Sequence, residues 1–169
     1  MTKKIDDAYY NRVRAMEFAV KHDDGNRPTG LIHADVVLVG ISRTSKTPLS
    51  TYLGYCGVKV ANVPLALDID PPEQIFDVDP RRLFGLVTTP EVLKKVRTAR
   101  QAELGTVVAG YADAEQIARE LEMSRSVMRR LGCVVINTAD RAIEDVAQEI
   151  VGYLKAAGID TSPRDQVES

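Results

Sequence analysis

Apolar residues in this chain fall into short unbroken runs, and the stretches between them carry helical spacing. ADVVLVG, residues 34–40, is almost wholly apolar and rich in β-branched side chains. That pattern predicts a strand buried on both faces of a parallel sheet. VKVANVPL at 58–65, LFGLVTT at 83–89 and CVVIN at 133–137 predict three more strands. Residues 5–21 predict a helix with Val13, Met16 and Phe18 on its apolar side and Gly25 just past its stop. Thr47 to Tyr55 predicts a second helix, with Pro48 in the first turn, where a missing N–H costs little. Thr89-Pro90-Glu91 reads as the start of a third, a hydroxyl N-cap followed by Pro. This helix is expected to carry Leu93 and Val96 inward and to run to about Glu103. Asp113 and Gln116 make a capping-box pattern for a fourth, whose stripe is Ile117, Leu121, Met128 and Leu131, closed by Gly132. A last helix spans about 142–157, with Ile143, Val146, Ala147, Ile150 and Leu154 on one face.

Polar connections separate these elements. HDDGNRPTG at 22–30 is a loop punctuated by Gly and Pro, and residues 66–82 read as a loop or a broken helix. The alternation of strands and helices predicts an α/β fold, a parallel β-sheet flanked by helices. With 169 residues it forms a single domain, 1–169, with an N-terminal helix and loop over 1–30 and a flexible tail over 160–169. In such a sheet ligands bind beyond the carboxyl ends of the strands.

Charge narrows the function. Lys plus Arg is 22 against 24 for Asp plus Glu, a net charge of −2, which argues against a general nucleic-acid binder. No apolar run is long enough for a membrane span, and the first residues show no signal-peptide pattern. Cys56 and Cys133 lie in apolar segments without metal-ligand spacing and read as buried thiols. A cytoplasmic location is the resulting expectation.

The candidate chemistry sits directly after the first strand. GISRTSKTPLS, residues 40–50, resembles the phosphate-loop pattern G-x-x-x-x-G-K-[ST], with Ser45 in place of the second Gly. In such a loop the backbone N–H groups of Gly40, Ile41, Ser42, Arg43, Thr44 and Ser45 curl around phosphate oxygens. Lys46 reaches a terminal phosphate oxygen, and Thr47 places its hydroxyl on Mg²⁺. Ser at 45 is tolerable if the backbone there does not need a positive φ. The competing reading is a Ser/Thr-rich turn that caps a helix; the preceding strand and following helix favour the loop. No predicted strand ends in an Asp that would hold the metal, and Asp68 and Asp70 lie a few residues past the second strand. His22, Asp23 and Asp24 form the densest titratable cluster near the loop, set against a solvated turn that stops a helix. Arg97 and Arg100, or Arg125, Arg129 and Arg130, are candidates for a phosphate clamp, set against solvated helix faces.

Four segments occur in a distinctive order: MEFAVKHDDG, ADVVLVGISRTSKTPLSTYLGYCGVKVANVPL, LFGLVTTPEVLKKVRTAR and MRRLGCVVINTADRAIEDVA. Over roughly residues 8–155 the chain resembles the regulatory proteins of pyruvate, phosphate dikinase and of phosphoenolpyruvate synthase. The resemblance implies a phosphate-loop, kinase-like fold and a bifunctional enzyme. One implied activity is a serine/threonine protein kinase that uses ADP, transferring its β-phosphoryl to a dikinase Thr and leaving AMP. The other is a phosphorylase in which inorganic phosphate removes that phosphoryl as pyrophosphate. It also implies that Gly40 to Thr47 hold the nucleotide, that Ser45 is the family's own form of the loop, and that HDDG contributes His22, Asp23 and Asp24. Either aspartate would accept the proton of the target hydroxyl. A homodimer is reasonable on the same ground. Family members carry an N-terminal domain ahead of the EFAVKHDDG region, so the expectation here is the phosphate-loop half without that domain. Two other readings are a small-molecule kinase using ATP and a non-catalytic ADP-binding module.

Overall fold

The computed structural model describes residues 2–23 and 28–161, with side chains from residue 7 onward. Strands β1 (Val36–Gly40), β2 (Val60–Pro64), β3 (Leu83–Val87) and β4 (Val134–Asn137) form one sheet in the order β2-β1-β3-β4. Every pairing is parallel: Val36 lies beside Val60, Val37 beside Leu83, and Phe84 beside Val134. The helices are α1 (Thr2–Lys21), α2 (Lys46–Tyr55), α3 (Pro90–Leu104), α4 (Ala114–Leu131) and α5 (Ile143–Ala156). The predicted fold class is the observed one.

The unbroken apolar runs are explained by burial on both sides. On one face Val37, Val39, Ala61, Val63 and Leu83 pack with Leu93 of α3 and with Ile117, Leu121, Val127 and Leu131 of α4. On the other, Val36, Leu38, Val60, Phe84 and Leu86 pack with Leu49 and Leu53 of α2 and with Val146, Ile150 and Leu154 of α5. Successive strand residues thus serve opposite cores, as a two-residue period requires. At Gly85 a Cβ would sit 2.5 Å from the Met128 sulfur, so the missing side chain lets α4 approach the sheet.

Local signals behave as their chemistry predicts. The Thr89 hydroxyl accepts from the Val92 N–H, and Pro90 follows it. Asp113 caps α4 by accepting from the Glu115 N–H, one position short of the full capping box. Gly105 and Gly132 close α3 and α4 with φ of 66° and 65°. Residues 66–82 are a loop broken by two 3-10 turns, Glu73–Asp77 and Pro80–Arg82.

Three inward-facing expectations fail. Val96 is 40% exposed, while the next residue, Arg97, is 1% exposed. Cys56 is also exposed, because it caps the end of α2; Cys133 is half-buried, which pushes its thiol up. Met16 is likewise turned outward, and Ala15 and Ala19 carry the buried side of α1. These small residues let α1 cross α2 closely: a Cβ on Gly54 would lie 3.4 Å from the Ala15 carbonyl oxygen. That crossing delivers the end of α1 to the beginning of α2.

Candidate functional site

The loop between β1 and α2 begins at a residue that has to be glycine. A Cβ on Gly40 would stand 2.7 Å from Thr44 Oγ1 and 2.8 Å from the Leu86 carbonyl oxygen of the neighbouring strand. Beyond it the chain turns sharply. Arg43 and Ser45 both take left-handed backbone conformations, with φ of 67° and 73°. The condition set for Ser45, a backbone that does not need a positive φ, is therefore not met. The backbone keeps the conformation a glycine would adopt freely, at a cost of about 1–3 kcal/mol. Packing must supply what holds it there.

Three loop carbonyls are drawn to side-chain partners. Ile41 O accepts from Thr44 Oγ1 at 2.9 Å and from Lys46 Nζ at 2.7 Å. Ser42 O accepts from Arg97 Nη2 at 3.2 Å, and Thr44 O from Thr138 Oγ1 at 3.4 Å. Among the described residues, the N–H groups of 42–45 donate to no protein acceptor. With carbonyls bound and amides available at the start of α2, the loop has the character of an anion cradle. Lys46 is buried at 7% exposure. The cleft above it, about 480 Å³, is lined by Ser42, Arg43, Ser45, Lys46, Thr47, Thr88 and Thr138, with Pro48, Pro64, Val92 and Val96 on its apolar sides.

Asp23 is brought to this loop from the end of α1. Its carboxylate accepts from Thr47 Oγ1 at 3.1 Å and from Asn62 Nδ2 at 2.6 Å. Asn62, buried in β2, also donates from Nδ2 to Ser50 Oγ at 3.3 Å. The backbone of the same residue ties down the chain: Asn62 N donates to the His22 carbonyl at 2.9 Å. A Thr hydroxyl beside a carboxylate is an oxygen donor set that suits Mg²⁺, which keeps several waters and takes one or two carboxylates with substrate phosphates. The described residues hold no cluster of three or more His, Cys, Asp or Glu placed to enclose an ion.

The other expected residues are placed differently. The His22 ring stacks on Phe18 at 3.9 Å, lies against Gly30, and sits with Nδ1 2.9 Å from the Phe18 carbonyl. Its contacts are thus with helix and turn, while the neighbouring Asp23 reaches the loop. Asp24 lies outside the described residues. Asp68, with φ of 62°, and Asp70 line a groove with Met123, Ser126 and Arg130, apart from the loop.

Neither proposed arginine clamp forms. Arg125 is exposed, Arg129 reaches Glu122 at 3.6 Å, and Arg130 lies over the Phe76 ring. Arg100 pairs with Glu103 on α3 itself. Arg97 instead supports the loop from behind. Its guanidinium pairs with Glu120 of α4 at 2.5 Å and 3.3 Å, and donates to the Tyr111 carbonyl at 2.9 Å as well as to Ser42 O. It also lies 4.8 Å from the Tyr111 ring centroid. The Tyr111 hydroxyl is 3.5 Å from Ser42 Oγ. Partial burial pushes the Tyr111 phenol up. Hydrogen bonds from Ser42 and Arg43, with the charges of Arg43 and Arg97, outweigh it and hold the group below its ordinary value.

Sequence reasoning missed Asn62, Tyr111, Glu120 and Thr138. Asn62 had one visible signal, as an amide interrupting an apolar strand; a buried polar group needs a partner.

Comparison with known proteins places the chain in a family. The model of a family described as kinase/pyrophosphorylase matches residues 1–151. A protein of Clostridioides difficile (strain 630) is 48% identical over 158 residues, covering 93% of this chain and 56% of its own length. One from Syntrophomonas wolfei subsp. wolfei is 49% identical over 152 residues, 89% of this chain and 56% of its own. One from Bacillus subtilis (strain 168) is 44% identical over 158 residues, 93% of this chain and 58% of its own. All three are provisionally named pyruvate, phosphate dikinase regulatory proteins. The chain spans a little over half the length of these relatives.

Proposed function

We infer the activity from one premise: the chain belongs to the kinase/pyrophosphorylase family. On that basis it acts as the phosphoryl-transfer part of a bifunctional regulator of pyruvate, phosphate dikinase. It phosphorylates a dikinase Thr with ADP and removes that phosphoryl with inorganic phosphate. The observation that carries this reading is the meeting of three groups: the loop with its available amides, Lys46 at its base, and Asp23 hydrogen-bonded to Thr47.

In the kinase direction the loop amides and Lys46 hold the diphosphate. The Thr hydroxyl of the target attacks the β-phosphorus, the bond from that phosphorus to the α-side oxygen breaks, and AMP leaves. The proton of the hydroxyl passes to a carboxylate of the Asp23-Asp24 pair. In the reverse sense an oxygen of inorganic phosphate attacks the phosphothreonine phosphorus. The bond to the Thr oxygen breaks, that oxygen recovers a proton from the same pair, and pyrophosphate leaves. Thr47 and Asp23 are the residues that would hold Mg²⁺, which when bound offsets phosphate charge. Positioning and electrostatic stabilisation do most of the work, since the transferring group is loosely bonded in the transition state.

The test is transfer from β-labelled ADP to purified dikinase carrying phosphohistidine, with this chain as the only other protein. Label on the dikinase Thr, lost in Lys46→Ala, is the expected result. Transfer only to phosphoenolpyruvate synthase would reassign the partner. Turnover of a small metabolite with ATP would replace the reading with that of a small-molecule kinase. ADP binding without transfer to either protein would leave a nucleotide-binding module.

A further inference from the structure

Val96 was expected in the core and is found in the cleft. It stands one helical turn from Val92 on α3, and both line the cavity that the phosphate loop floors. Residues four apart on a helix present one continuous patch. Val96 is 40% exposed there and Val92 half-buried, while the core position is taken by Arg97. Phosphate and pyrophosphate have no apolar surface to match such a patch. A nucleoside does, on the faces of its base. The cleft, about 480 Å³, falls within the size range of small-molecule and cofactor sites.

We infer that Val92 and Val96 are the seat of the nucleobase of a nucleoside diphosphate whose phosphates lie on the loop. This rests on the proposed function and deepens it. The seat and the loop keep a fixed spacing because Arg97, next to Val96, is held by Glu120 and grips the Ser42 carbonyl. Base and diphosphate are therefore read by one rigid unit. The two directions of the reaction then use the site unequally: the nucleotide takes both seat and loop, whereas inorganic phosphate and pyrophosphate take the loop alone.

The experiment is calorimetric binding of ADP and of pyrophosphate to the unaltered chain, to Val96→Asn and to Val92→Thr. Val96→Asn is expected to weaken ADP about tenfold through lost apolar contact and to leave pyrophosphate unchanged. Val92→Thr, close in shape, shifts ADP in the same direction by less. Lys46→Ala, in contrast, weakens both ligands. Unchanged ADP affinity in both valine variants overturns the base seat and leaves the phosphate-loop reading standing. Equal weakening of ADP and pyrophosphate also overturns it, because the valines would then act through the loop. If the unaltered chain binds neither ligand, the phosphate-loop reading itself fails and the seat with it.

Discussion

Two polar clusters flank the loop between β1 and α2, and they differ in how much freedom they leave. Behind the loop, Arg97 and Glu120 are buried, and the guanidinium also serves two backbone carbonyls. In front of it, Asp23 holds, among the described residues, a Thr hydroxyl and an Asn amide at the rim of the site. The rear cluster pairs a full positive charge with a full negative one, out of water. Its geometry is fixed because any departure leaves a buried charge alone. The front cluster offers a carboxylate whose partners are neutral and which can exchange them for a cation or a proton. The loop thus has a fixed support behind it and an exchangeable carboxylate in front.

That contrast can be broken by experiment, and the largest effect belongs to the rear. Glu120→Ala strands Arg97 and is expected to cost about 3–5 kcal/mol of stability, measured by urea unfolding. A loss below about 1 kcal/mol would mean that the pair does not hold the loop. In front the sign of the trade reverses. Asp23→Asn should change the urea midpoint little, yet lower phosphoryl transfer by about a hundredfold or more. Equal effects of the two substitutions on both readouts would erase the distinction.

Ser45 lies between the clusters. Ser45→Gly relieves the left-handed strain but loosens the unfolded chain, so stability should rise by about 1 kcal/mol or less. A marked loss would show that the hydroxyl makes a contact that outweighs the strain. The smallest effect is a titration. With Tyr111 held below its ordinary value, the native state binds its proton less tightly than the unfolded chain does. Its contribution is present above the unfolded phenol value and fades as pH falls through the native one. An ultraviolet titration should therefore show one tyrosine ionising below the ordinary phenol range, and Tyr111→Phe should remove that early step.

The rear and front clusters also mark how far local pattern carries. The strands, the helix starts at Thr89 and Asp113 and the loop itself were all legible, because each depends on neighbours in the chain. The loop's span followed from strand, Gly, Lys and helix. Arg97 was not legible as a buried residue. Spacing alone favoured Val96, and a charged side chain is internal only through a partner 23 residues away. Asp23 could be named as a candidate but not placed, since what brings it to Thr47 is the close crossing of α1 over α2 at Ala15 and Gly54. The conformation of Ser45 was open for a different reason: an L-residue can be held at positive φ by surroundings that no motif encodes.

The bond from Asn62 N to the His22 carbonyl bears on the protein's behaviour at high concentration. β2 lies at the border of the sheet, and a bare strand border is a template on which another chain can add. The amide of Asn62, midway along β2, is already engaged by the His22 carbonyl. The segment that carries Asp23 to the loop therefore also blocks this border. Loosening the end of α1 would expose a self-association surface at the same moment as it withdrew the carboxylate, so solubility and the placing of Asp23 are tied to a single anchoring point.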